Sequence, residues 1–493
     1  MTLLARRSLL PLMLITFAAA SWLSRPVLVA TSVLDVTLPK VLLAVAVVAV
    51  LAARPWQLAG RFDRYALLFL AALAAWLLAT AALRGDSADF KRTAGAVGFG
   101  AVALVLAWAA LRTAGERGGR WLAIGIGVFG VVSFAAAALE LLTWQLPTDP
   151  FLWLWNIARP QVSYLNEPGV SVILQTHSMG ADRVLRVSGL SWHPNILAMS
   201  LLMPATFALA LVARAWSAAQ RLQLVAGAAL FAVVATTIVG TQSRSAFIGL
   251  VLVVAATTVV AWLGRRKEAR RAWLASLATG VALVLVALAL DSSIIERLLG
   301  SLQPGVAQLP GGQVSTADNA ADIAAIHWQM IANGVHVLAT SPMTLLSGPG
   351  LAAYTLAIHD PTNALYLKAA LGVPDPNSFW LTFALGGGVL GALAIVGLIG
   401  VTWWQLARRW RADMAAALDG TWRHLHRAWL LAWIPAWVLV ENVGGNPFEV
   451  AEVIPFAMLV GLSIALATQP AAADPAAQPV TAVVRAAQAE PAS

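Results

Sequence analysis

No cysteine occurs anywhere in the 493 residues. That absence excludes disulfides, thiolate metal sites and cysteine nucleophiles. Charge is nearly as scarce, since Asp, Glu, Lys and Arg make up 11% of the chain against 60% for the hydrophobic residues, and mean hydropathy is +0.78. Soluble domains carry about 25% charged residues, so this composition is that of an integral membrane protein. The net charge of +9 does not point to nucleic acid. The arginines lie in short clusters between apolar runs, the pattern that sets membrane orientation. Internal repeats and soluble domains are not evident.

About twelve apolar segments approach the ~20 residues needed to cross ~30 Å of hydrocarbon. They run over 9–24, 38–53, 65–83, 94–111, 121–146, 194–213, 222–241, 246–263, 272–290, 377–405, 428–441 and 450–468. The expected fold is therefore all-α: one polytopic membrane domain over 1–468, followed by an Ala-, Pro- and Gln-rich tail, 469–493, read as disordered. With the N-terminus in the cytoplasm, the inner loops hold Arg6, Arg7, Arg54, Arg61, Arg64, Arg112, Arg117, Arg120, Arg214, Arg221, Arg265, Arg266, Lys267, Arg270, Arg271, Arg408, Arg409, Arg411, Arg423 and Arg427. With Arg485 in the tail these are 21 of the 32 basic residues. The remainder fall on much longer outer loops, so both termini are expected in the cytoplasm. Ser24-Arg25-Pro26 is a poor cleavage site, and the first segment is read as a retained span.

Two outer loops are long, about 147–193 and 291–376. Trp144, Trp153 and Trp155 suit the lipid headgroup zone. In the second loop, Pro310 to Gln313 reads as a flexible break and Thr316 to Ile331 as a helix with an acidic N-terminal turn. Polar insertions sit at the mouths of apolar segments. Arg244 lies between two serines in the turn joining the seventh and eighth spans, where a guanidinium is costly unless paired or facing an anion. Its planar fork matches phosphate oxygens, although a snorkelling arginine at a helix end would look the same. Arg183 and Arg186 precede the sixth span, which opens at His193-Pro194-Asn195 with free backbone N–H groups toward an anion. The stretch Asp375-Pro-Asn-Ser-Phe-Trp-Leu-Thr-Phe-Ala-Leu-Gly-Gly-Gly-Val-Leu-Gly391 closes the second loop and begins a glycine-rich span. Glu140, near the outer end of the fifth span, either pairs with an arginine of this site or reaches the interface.

The ordered set resembles the O-antigen ligase and O-antigen polymerase superfamily of bacterial membrane glycosyltransferases. Arg186, Gly189 and Asn195 stand ahead of a middle span, Ser243 and Arg244 in a later turn, Gly348-Pro-Gly350 late in a large loop, and Asn377 before Gly388-Val-Leu-Gly391. The resemblance covers about residues 180 to 410. It implies an undecaprenyl-diphosphate-linked glycan donor and an inverting transfer at the periplasmic face of the inner membrane, with no nucleotide sugar, no cofactor and no divalent metal. Arg186 and Arg244 would neutralise the departing diphosphate. Arg183, Asn195, Ser243, Gly348, Gly350 and Asn377 would line the substrate. Apolar walls between spans, with membrane lipid around them, would hold the prenyl tail. Many relatives place a histidine before the asparagine. This chain has Pro376, so the base that assists the acceptor hydroxyl falls to His359 or Glu167.

That proline favours a polymerase of O-antigen or exopolysaccharide repeat units, whose acceptor is another glycan. The alternative is a ligase acting on lipid A-core or a protein. A transporter, the alternative from another class, would show repeated halves and broken helices near the bilayer centre, with ionisable residues at that depth.

Overall fold

The computed structural model describes residues 2–23, 27–29, 36–143, 150–151, 153–154, 176–179, 182–191, 193–217, 219–264, 274, 278, 281, 285, 320–367, 376, 378–416, 421–440, 448 and 450–469, and the structure below concerns these. It is mostly helical. The helices are α1 (Thr2–Trp22), α2 (Leu38–Ala53), α3 (Arg61–Leu83), α4 (Ser87–Thr143), α5 (Pro194–Ser217), α6 (Arg221–Gly240), α7 (Arg244–Leu263), α8 (Ala320–Leu338), α9 (Pro342–Ser347), α10 (Leu351–His359), α11 (Phe379–Ala415), α12 (Trp422–Val440) and α13 (Val450–Thr468). Two short antiparallel pairs accompany them, β1 (Val27–Val29) with β2 (Val36–Thr37) and β3 (Thr176–Met179) with β4 (Asp182–Leu185).

Seven helices among the described residues are long and apolar enough to cross a membrane: α1, α3, α4, α5, α6, α7 and α11. Helices α5, α6 and α7 match the expected spans within a few residues. The fourth and fifth expected spans form the single run α4, broken where Gly115 adopts φ 55°, ψ −141°. Leu104, before the break, packs its backbone against Gly461. Leu122 and Ile126, after it, share an apolar pocket with Leu459 and Leu462. Both halves therefore lie at one level on α13, and the chain doubles back at Gly115. The ninth expected span, 272–290, lies almost wholly outside the described residues. The second long loop contains the helices α8, α9 and α10; α8 begins and ends later than the helix read from Thr316 to Ile331.

Each end of the bundle is closed by a different chemistry. At the arginine-rich end, Asp63 is fully buried and accepts from Gly60 N (2.8 Å), Trp108 Nε1 (3.1 Å), Arg112 Nη2 (2.7 Å) and Thr468 Oγ1 (2.7 Å). Arg427, also fully buried, pairs with Asp413 and donates to the carbonyls of Leu466 (3.0 Å) and Gln469 (2.6 Å) at the end of α13. A cation there meets the negative end of the helix dipole. Between the ends, the core is built from small residues and large aromatics, among them Trp108, Phe207 and Trp429.

The opposite end holds a broken helix. Gly388 in α11 has φ 73°, ψ 176°, a conformation essentially confined to glycine. Such a break takes the carbonyls of the preceding turn out of the helical ladder, where burial makes them costly. Each finds another donor: Leu385 O accepts from Gly350 N (2.9 Å), Gly386 O from Arg84 Nη2 (2.5 Å) and Gly387 O from Trp76 Nε1 (2.8 Å).

Candidate functional site

At this same end, α5, α6 and α7 present their termini together. Glu140, fully buried near the end of α4, accepts from the amides of Ser188 (2.8 Å) and Gly189 (2.7 Å). It thereby anchors the backbone ahead of α5. The turn it holds needs Gly189, whose φ is +53°. Just before that turn, Val187 N donates to Gly240 O (3.1 Å), which lays Arg186 across the end of α6. Arg186 Nε donates to Thr241 O (3.2 Å) and Nη2 to Asn195 Oδ1 (2.6 Å). Asn195 sits in the first turn of α5, just after Pro194. Two residues beyond Thr241, Ser243 takes the N-cap position of α7, with its Oγ 3.2 Å from Ser245 Oγ, and Arg244 opens the helix, half-buried. Arg186, Asn195, Ser243 and Arg244 thus come together from separate elements.

One further side chain joins them. His327, on α8, stands within electrostatic reach of Arg244. Burial first, and then the Arg244 charge, hold the imidazole below its ordinary pKa of 6.5. It is therefore neutral at pH 7 and has a ring nitrogen able to accept a proton. No protein-family model matches the chain, and no curated protein matches it by sequence. The site is thus defined by its own geometry: two guanidinium groups, the N-terminal turns of α5 and α7, and a neutral imidazole. Such a set can hold an anion with charge-assisted hydrogen bonds and take up a proton next to it.

The other sequence-derived residues fall elsewhere. Gly348 and Gly350, with φ of +81° and +92°, interlock with the broken part of α11. A Cβ on Gly348 would lie 2.4 Å from Leu385 O, and one on Gly350 would lie 2.6 Å from Asp89 Oδ2. Asp89 is itself paired with Arg84 at 2.8 Å and accepts from Leu351 N at 3.3 Å. These glycines allow backbone to meet backbone, and the space beside them is filled by protein. His359 is the last residue of α10. Next to it, hydrogen bonds from Thr362 hold the Asp360 carboxyl below its usual pKa. Arg183 lies in β4, paired with Ser178. Glu167 and Asn377 lie outside the described residues. Pro376 is buried, its Cβ about where a Cβ on Gly334 of α8 would be met at 3.3 Å. From sequence, His327 stands nine residues from His336, a spacing that fits no helical metal site, and no local motif marks it as a base. Arg84 and Asp89 lie in the ten residues, 84–93, between two expected spans, where no motif marks them.

Proposed function

We propose that the chain is a membrane glycosyltransferase of the O-antigen ligase and polymerase type, acting at the periplasmic face of the bacterial inner membrane on an undecaprenyl-diphosphate-linked glycan. The observation that supports this reading is the convergence of Arg186, Asn195, Ser243 and Arg244 with His327 at one end of the bundle. In the reaction, an acceptor hydroxyl oxygen attacks the anomeric carbon of the donor sugar. The bond from that carbon to the diphosphate oxygen breaks, and the diphosphate keeps the electron pair. Arg186 and Arg244 stabilise the charge that develops on it. The hydroxyl proton passes to the neutral imidazole of His327. The sequence pointed to His359 or Glu167 for this proton; His327, on α8 and within electrostatic reach of Arg244, is the base favoured here. Polymerisation of repeat units remains the preferred form of the reaction, because Pro376 stands where ligase-like relatives carry histidine.

The test is a gel profile of surface glycans in cells whose only copy of the gene is mutated. Arg186→Ala and Arg244→Ala are expected to abolish transfer at unchanged protein level, and Arg244→Lys to restore part of it, since a point charge replaces a bidentate fork. Loss of long chains with a single repeat retained identifies a polymerase. Complete loss of glycan from lipid A-core identifies a ligase. Wild-type profiles in both alanine variants would refute the reading.

A further inference from the structure

The clasp between Gly348–Gly350 and the broken α11 sets the depth of a segment that the sequence assigns to an outer loop. On α3, Trp76 reaches Gly387 O from seven residues before the helix end at Leu83, about 10 Å in at 1.5 Å per residue. On α11, Gly388 lies nine residues from Phe379, about 13 Å in. Two helices thus agree on a depth inside the ~15 Å half-thickness of the hydrocarbon for Leu346 and Ser347, which meet Gly388, and the chain rises from there to Leu351, whose amide meets Asp89 in the first turn of α4. We propose that residues 341–350 form a re-entrant segment that enters the lipid leaflet on the site face and turns Met343, Leu345 and Leu346 toward its acyl chains.

Three observations carry this. From Thr340 to Ile358 the chain has no Asp, Glu, Lys, Arg or His, as a segment at that depth requires. Its backbone is satisfied within protein: Thr344 N is capped by Ser341 Oγ, Gly348 N bonds Thr344 O, Gly350 N bonds Leu385 O and Leu351 N bonds Asp89. Non-helical backbone at membrane depth is tolerated only in that condition. Finally, Met343, Leu345 and Leu346 are 71%, 40% and 44% exposed on α9, a helix that packs against the spanning helix α11. Apolar side chains exposed beside a span, at a depth inside the hydrocarbon, meet acyl chains.

The inference rests on membrane embedding and needs no glycan, so it stands or falls apart from the glycosyltransferase reading. The chain has no cysteine, so Met343→Cys, Leu346→Cys and, as an aqueous reference, Thr362→Cys each give one labelling site. The labelled protein, carrying an environment-sensitive fluorophore, is placed in phosphatidylethanolamine and phosphatidylglycerol vesicles with or without brominated acyl chains. Positions 343 and 346 should show blue-shifted emission, strong quenching by the brominated lipid and several-fold weaker quenching by iodide than position 362. Iodide quenching equal to that at 362 would return the segment to water. Shielding from both quenchers would place another protein surface there and would equally overturn the lipid assignment.

Discussion

Replacing Gly388 by alanine probes the broken helix most directly. The residue's φ of 73° with ψ of 176° lies in a region that costs a side-chain-bearing residue roughly 1–3 kcal/mol. The added Cβ would also fall 1.9 Å from Leu346 O and 2.6 Å from Ser347 N. Both are backbone atoms, so no side chain can swing aside. The Leu346–Gly350 turn must withdraw, which breaks the Gly350 N to Leu385 O bond and leaves a buried carbonyl unpaired, a further ~1–3 kcal/mol. The expected loss is therefore roughly 2–6 kcal/mol. Gly397, on the same helix, meets nothing within 4 Å when given a Cβ, so Gly397→Ala should stay within about 1 kcal/mol of wild type. Unfolding in mixed micelles of rising dodecyl sulfate fraction, followed through the fluorescence of the 21 tryptophans, measures both. If Gly388→Ala unfolds at the same fraction as Gly397→Ala, the interlocked break does not hold the fold.

Glu140→Ala should cost roughly 2–5 kcal/mol in the same assay, because it leaves the buried amides of Ser188 and Gly189 without an acceptor; Glu140→Gln, which keeps one carbonyl oxygen, should cost less, and equal losses would refute the anchoring role. For His327, the lowered pKa means that wild-type transfer persists somewhat below pH 6.5 and falls as acid protonates the imidazole. His327→Gln should slow transfer by roughly 10²–10⁴-fold and remove that acidic limb from the rate profile. A variant that keeps the limb would dismiss His327 as the base.

The helices α5, α6 and α7 were readable because each is an apolar run bounded by its own local signals: Pro194 and Asn195 at one start, Ser243 and Arg244 at another. The meeting of Arg186 with Asn195 was likewise foreshadowed, since the two stand nine residues apart across a single turn. Long-range chemistry left no such trace. Arg84 and Trp76 complete the hydrogen bonding of glycines some three hundred residues away, and no periodicity or spacing records that pairing. The triple glycine was legible as part of a glycine-rich span; that its carbonyls leave the ladder depends on partners supplied by folding. His327 acquires its chemistry from the charge of Arg244 on another helix, so its own neighbours in sequence do not distinguish it. The reversal at Gly115 was foreseen as two spans, yet the extension of α4 through 87–143 depends on helical geometry continuing up to that glycine.

The packing of α13 has a consequence for the order in which the protein is made. Gly461 receives the backbone of Leu104, Thr468 completes the shell of Asp63, and Gln469 Nε2 caps Leu111 O at 3.1 Å. At 5–20 residues per second, roughly 20–70 s separate emergence of Arg112 from that of Thr468. Through that interval the spans α1, α3 and α4 stand with a seam open where α13 will pack and a buried carboxylate one donor short. The early spans must therefore be sheltered by the insertion machinery, or by each other, until α13 arrives to close the seam.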